Sequence, residues 1–263
     1  MDPTTFQETP QLVIDEPVIP KVGYIISRYT SESTAPGLSL ICSKNREYTY
    51  FGPFQSLSPI PESLQIWSKK NIKGDFLPHI KQYLEYVHSF LSQKFPEYNC
   101  YWFEIRLSKG SEEYILPRWH CDGVYFDTQK DQHFKLVTTL LGPGTLFLKN
   151  GVEARSIERE EETRVDETLD SMDFENYEAR MKERRRLEDK QRMNLAERLD
   201  EWERVQLKFG ECARFRVGNG EAAVHSEPDS RGDRVFVSVL PGRESELREM
   251  AERWGCPWGE ALE

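Results

Sequence analysis

One segment, Tyr101-Trp-Phe-Glu-Ile-Arg-Leu, constrains the fold more than any other. Successive side chains of a strand point to opposite faces, so Tyr101, Phe103, Ile105 and Leu107 share one apolar face. Trp102, Glu104 and Arg106 share the other. The apolar face requires a core. The second face reads equally as the lining of an interior and as a structural ion pair on an exposed surface.

Further strands are expected at Val22–Tyr29, Ser39–Ser43, Tyr48–Phe51, Arg118–Phe126, Phe134–Leu141, Thr145–Leu148, Ala213–Val217, Ala222–His225 and Arg234–Leu240. Gly-Pro-Gly at 142–144 and Gly-Asn-Gly at 218–220 supply turns between them. Ahead of Tyr101, the apolar residues Ile80, Leu84, Val87 and Leu91 recur at helical spacing and predict a helix over 76–95, ended by Pro96. From about 153 to 208 the chain is dense in both charges, lacks Pro and Gly, and carries a thin stripe of Leu195, Leu199, Trp202 and Val205. That reads as a helical insertion between strands, solvated and lightly packed, with a lid or an oligomer contact as the sharper alternative. Residues 1–20 mix Pro, Thr, Asp and Glu and read as a flexible arm, leaving 21–263 as a single domain. The expected class is mainly β (α+β): a sandwich or barrel of short strands with helices outside. An α+β domain of unrelated topology fits the same pattern.

The formal net charge of −10 argues against a nucleic-acid surface, and the one basic cluster, Lys182–Arg186, is embedded among acids. No run approaches the roughly 20 apolar residues of a membrane span, and the start lacks a signal-peptide pattern, so a cytoplasmic protein is expected. The five cysteines are scattered, without a C-x-x-C pair, and are expected as reduced thiols.

The chemistry concentrates in Arg118-Trp-His-Cys-Asp-Gly. On a strand, His120 and Asp122 project from one face and offer two corners of a metal site. A distant histidine completes the two-histidine, one-carboxylate set that leaves positions open on iron(II), and His225, in Ala-Val-His-Ser-Glu-Pro, is placed to do so. Nine residues later Arg234 heads the strand Arg-Val-Phe-Val-Ser-Val-Leu. An inward guanidinium calls for an anion, and a bidentate carboxylate is its natural partner. A dicarboxylic 2-oxo acid meets both demands. The remaining histidines have plainer readings: His133 facing solvent, His79 and His88 structural within the helix. Arg231, in an Asp-rich turn, reads as a surface residue. No G-x-S-x-G elbow and no glycine-rich phosphate loop is present.

The order His120-x-Asp122, His225, Arg234 resembles the iron(II)- and 2-oxoglutarate-dependent oxygenase superfamily over Tyr101–Leu240. The resemblance implies a double-stranded β-helix, or jelly roll, with iron held by His120, Asp122 and His225. It also implies Arg234 on the distal carboxylate of 2-oxoglutarate, and O2 as co-substrate. Ser238 stands four residues after the arginine, where the common pattern has Ser or Thr two residues after it, and is the candidate second contact. Trp102, Glu104, Arg106 and Tyr125 are the candidate substrate residues, and a Glu and an Arg two residues apart point to an amino-acid-like small metabolite. Asp122 speaks against a halogenase, which needs that position vacant for halide. The rival expectations are a cupin-like metal-binding protein and an iron dioxygenase that uses no 2-oxo acid.

Overall fold

The computed structural model describes residue 19 and residues 21–263, except 33–36, 56, 113–114, 127–132, 219 and 230. The expected arm thus lies almost wholly outside the described residues. Its Ile19 is buried, and its carbonyl accepts a hydrogen bond from Arg216 Nη2 at 2.6 Å.

In chain order the elements are β1 (Tyr24–Arg28), β2 (Ser39–Leu40), β3 (Arg46–Pro53), α1 (Glu62–Asn71), β4 (Ile72–Lys73), α2 (Phe76–Lys94) and β5 (Cys100–Ser108). Then come β6 (Phe134–Leu141), β7 (Leu146–Leu148), α3 (Gly151–Asp170), α4 (Tyr177–Arg198), β8 (Arg204–Gln206) and β9 (Glu211–Arg216). The last are β10 (His225–Ser226), β11 (Arg234–Gly242), α5 (Glu244–Trp254) and β12 (Ala261–Leu262). A seven-stranded sheet runs β1-β9-β6-β11-β5-β3-β12, a three-stranded sheet β10-β7-β8, and β2 pairs β4; the pairings within these sheets are antiparallel.

The alternation of β5 sets the two faces of the large sheet. Tyr101, Phe103, Ile105 and Leu107 join Val235, Val237 and Val239 of β11 in the main core, against Ile80, Tyr83, Leu84, Val87 and Leu91 of α2. Each such aliphatic side chain, removed from water, contributes roughly 2 kcal/mol. Tyr83 Oη also donates to the Leu136 carbonyl on β6 at 2.8 Å, fixing the helix against the sheet. The opposite face carries Glu104 and Arg106, cross-strand from Ser238 and Phe236, and looks toward the small sheet. α5, closed by Gly255 in the left-handed region (φ 66°), packs Leu247, Met250 and Ala251 on Phe51 and Trp102 at one end of that face.

Three expectations need correction. The segment 118–126 is not a strand. It touches the small sheet through one bridge, His120 to His225, closed by two N–H···O bonds of 3.0 Å. The strand expected at Ala222–His225 is β10, shifted to His225–Ser226. The insertion expected over 153–208 is a helical pair, α3 and α4, followed by β8, where Val205 pairs with Phe147 of β7. Charge density concealed β8, because a three-residue edge strand has no periodicity to read. α1 and α5 lie beyond the expected elements.

The helical pair is held by a small apolar cluster of Val165, Leu169 and Leu187 and by ions. Glu161 is buried and accepts from Arg164, Arg198 and Asn194, while Arg184 pairs with Asp166 and Arg180 with Asp170. Asn176 caps α4, its Oδ1 accepting from Ala179 N–H at 2.9 Å. At its base, Leu195 and Leu199 pack on Trp119, the neighbour of His120. No helix among the described residues is long and apolar enough to cross a membrane.

Candidate metal centre

His225 on β10 and His120 on its bridge partner lie side by side, ring centroids 4.3 Å apart, with Asp122 two residues on. One ligand atom from each of His120, Asp122 and His225 falls within 4.8 Å of the others. Asp122 Oδ1 stands 3.8 Å from His120 Nε2 and 3.9 Å from His225 Nε2. Adjacent ligands of a divalent ion at about 2.1 Å sit about 3 Å apart, so the set closes on an ion by rotamer-scale movement.

The histidines are set for this by their backbone. His120 Nδ1 lies 2.8 Å from the Arg118 carbonyl, and His225 Nδ1 lies 3.0 Å from the Ala223 carbonyl. A carbonyl only accepts, so each Nδ1 carries the proton and each Nε2 presents its lone pair to the cluster. Burial pushes His120 down to about 4, with His225 adding to the effect, so the imidazole is neutral at pH 7. Burial works to raise the Asp122 carboxyl, but Lys135, His225 and His120 outweigh it and hold Asp122 below its ordinary range. Two imidazoles with one carboxylate are a donor set suited to iron(II), and the residues present fit that ion.

The other oxygen of Asp122 is not idle. Oδ2 accepts from the buried Lys135 ammonium at 2.8 Å, and Lys135 also donates to Tyr125 Oη at 2.6 Å. Burial would lower Lys135, but Asp122 and Tyr125 raise it, and its ammonium stays charged. It lies over the rings of Tyr125 and Trp102, at 4.5 and 4.9 Å from their centroids. Sequence reading overlooked Lys135, although a lone cation inside the buried strand Phe-Lys-Leu-Val-Thr-Thr-Leu-Leu is the kind of signal that marks such a site.

The triad opens on a cavity of about 370 Å³ between the two sheets, and Arg234 lies on its wall. The Arg234 guanidinium is buried, donating to the Pro143 carbonyl at 3.1 Å and to Thr145 Oγ1 at 3.0 Å. Gly142, at φ 78°, lets the turn approach: a Cβ there would run into the Asp233 carbonyl. Among the described residues no carboxylate lies within 4.0 Å of Arg234. Burial lowers it to about 10, with Glu227 opposing and Arg106 assisting. The arginine is therefore a cation held out of water on neutral acceptors.

Glu104, Arg106, Ser238 and Tyr125 line the same cavity, whereas Trp102 lies behind Lys135, stacked on Phe51 at 5.8 Å. Glu104 and Arg106 meet each other at 2.8 Å, Arg106 half exposed and Glu104 buried, so each already has its counter-charge. Burial and the neighbouring Glu47 carboxyl raise Glu104 to about 7, against Arg106. Ser238 Oγ points at Glu104 Oε2, 3.4 Å away, and not at Arg234. Arg118 and Glu227 form a two-contact ion pair, at 2.6 and 3.1 Å, above His120. Each lies two residues from a triad histidine, Arg118 before His120 and Glu227 after His225, and neither was singled out from the sequence.

The other histidines and Arg231 are accounted for. His88 stacks on Phe54 at 4.7 Å, His79 meets Glu32, and Arg231 is exposed and bound to Asp229. His133, expected in solvent, is half-buried with its ring 4.6 Å from Phe126. Comparison of the chain with protein-family models and with curated proteins finds no match.

Proposed function

We propose that the protein is an iron(II)- and 2-oxoglutarate-dependent oxygenase acting on a small metabolite, with the two facing sheets as a jelly roll and the enzyme working in the cytoplasm. One observation carries the reading. A two-histidine, one-carboxylate cluster shares a cavity of about 370 Å³ with a buried arginine that has no carboxylate partner among the described residues. Metal binding alone accounts for the cluster; it leaves Arg234 unexplained.

His120, Asp122 and His225 would hold the iron, which when bound supplies the site for dioxygen and for the 2-oxo acid end of the co-substrate. Lys135 holds Asp122 by its outer oxygen, leaving Oδ1 for the metal. Arg234 and Thr145 receive the distal carboxylate, so the co-substrate is fixed at both ends. Phe215 and Phe236 supply apolar wall beside the triad, limiting water at the reacting carbon. Asp122, present as a ligand, leaves no vacancy for halide and favours oxygen insertion, desaturation or ring closure.

The test is O2-dependent conversion of 2-oxoglutarate to succinate by protein loaded with iron(II). Succinate is expected from the parent chain and not from Asp122→Ala. Oxygen uptake without succinate would favour an iron dioxygenase that uses no 2-oxo acid. Tight metal binding with neither product would favour a cupin-like binding protein.

A further inference from the structure

Next to the triad cavity lies a second one of about 790 Å³. Among the described residues its ionisable lining is Lys44, Lys109, Arg118, Arg192 and Arg234, with Glu227 as the one carboxylate. Five cations against one anion give +4, or +3 once Asp233, which pairs with Lys109 at 2.6 Å, is included, and +2 once Arg234 is assigned to 2-oxoglutarate. This sits in a chain whose formal net charge is −10. The local reversal of sign is not an echo of the whole surface.

The two cavities share Ser108, Arg118, Glu227 and Arg234, so the basic space adjoins the metal centre. The Arg118–Glu227 pair stands on the shared wall, with Arg118 Nη2 3.4 Å from His120 Nε2. The cations come from separate parts of the chain: Lys44 from the turn before β3, Lys109 from the end of β5, Arg118 from the triad segment, Arg192 from α4. Arg192 Nη2 donates to the Leu116 carbonyl at 2.6 Å, which draws α4 of the helical pair onto the rim. Glu104 and Arg106, by contrast, already meet each other at 2.8 Å, which engages both groups that a zwitterion would need.

We infer that the substrate is an oxyanion-bearing small molecule, a carboxylate or a phosphate ester, whose acid group is seated by Lys44, Lys109 and Arg192 while its carbon skeleton reaches past Arg118 to the triad. This rests on the oxygenase reading and deepens it, replacing the amino-acid-like substrate with an acid. Clustered cations lining a recess both raise the local concentration of an anion and orient it, and orientation is what selection of one C–H bond requires.

The probes are phenyl phosphate, benzoate and the neutral benzamide, titrated calorimetrically into the full chain loaded with zinc(II) and saturated with 2-oxoglutarate. Phenyl phosphate and benzoate are expected to bind and benzamide not to. The affinity of the two anions should weaken as salt rises from about 0.05 to 0.2 M, where screening shortens the reach of the charges. Lys44→Gln and Arg192→Gln, tested separately, should each weaken phenyl phosphate by about threefold or more, with 2-oxoglutarate affinity changed less than about twofold. Lys44 is exposed on a turn, so its variant keeps the test open if Arg192→Gln does not fold. Equal binding of benzamide and the anions, indifference to both substitutions, or displacement of phenyl phosphate by 2-oxoglutarate would overturn the proposal. Metal and 2-oxoglutarate binding are read on the same samples. Their loss with phosphate binding intact sinks the oxygenase reading and leaves the anion site standing.

Discussion

Replacing Arg234 by methionine separates two effects that the structure sets in opposite directions. The guanidinium has five N–H donors, and Pro143 O and Thr145 Oγ1 take two of them. Three remain, enough for a carboxylate held by two parallel bonds. Removing one partner of such a buried, charge-assisted pair costs on the order of 3 kcal/mol, about a hundredfold in affinity. In the ligand-free chain the same residue is a cation that burial holds at about 10. Methionine keeps much of the volume and removes that charge, at the loss of two hydrogen bonds of about 1 kcal/mol each. The expected outcome is a hundredfold weaker 2-oxoglutarate affinity with ligand-free stability changed by less than about 2 kcal/mol. Calorimetric titration of zinc-loaded protein gives the first quantity and urea unfolding the second. Undiminished 2-oxoglutarate binding in Arg234→Met, or its loss in Arg231→Met, would refute the assignment of this arginine.

His120→Ala and His225→Ala are each expected to abolish stoichiometric iron(II) binding, measured by equilibrium dialysis; retention by both would remove the metal centre. Burial holds His88 at about 4 against the model-peptide value of 6.5, so the unfolded chain gains a proton between those values that the fold excludes. Stability therefore falls as pH drops through that window, by at most about 3 kcal/mol, and urea unfolding of His88→Phe should show a flatter pH dependence. Glu104 has the opposite sense: the fold keeps its proton up to about 7 while the unfolded chain loses it near 4.5, so stability declines as pH rises between them. Glu104→Gln should be near neutral at pH 4.5 and stabilising by roughly 2 kcal/mol at pH 8, and equal effects at both would contradict the raised acidity constant.

The large sheet, apart from its two-residue edge strand β12, and α2 were legible because their residues obey a period. The alternation of Tyr101–Leu107 assigned both faces of β5, and the three-and-four spacing of Ile80–Leu91 placed α2 within a residue or two. His120, Asp122 and His225 were paired by residue chemistry, although the strand invoked for the first two is one bridge. Their common direction comes from that bridge and from Nδ1 contacts to carbonyls two residues back. β8, α1 and α5 escaped for want of pattern: three residues are too few, and the mixed composition of Glu62–Asn71 and Glu244–Trp254 dilutes their helical stripes. Lys135 was visible but unweighed. The basic recess was beyond reach, since its cations lie on five separated segments that only tertiary structure gathers.

The most direct measurement is anaerobic titration of the chain with iron(II) and then 2-oxoglutarate, watching for the weak visible charge-transfer absorption of the chelate. The expected result is the band at one iron and one 2-oxoglutarate per chain, its absence in His225→Ala, and its appearance in Arg234→Met only at about a hundredfold more 2-oxoglutarate. A parent chain that binds iron(II) yet shows no band at any 2-oxoglutarate concentration would contradict it.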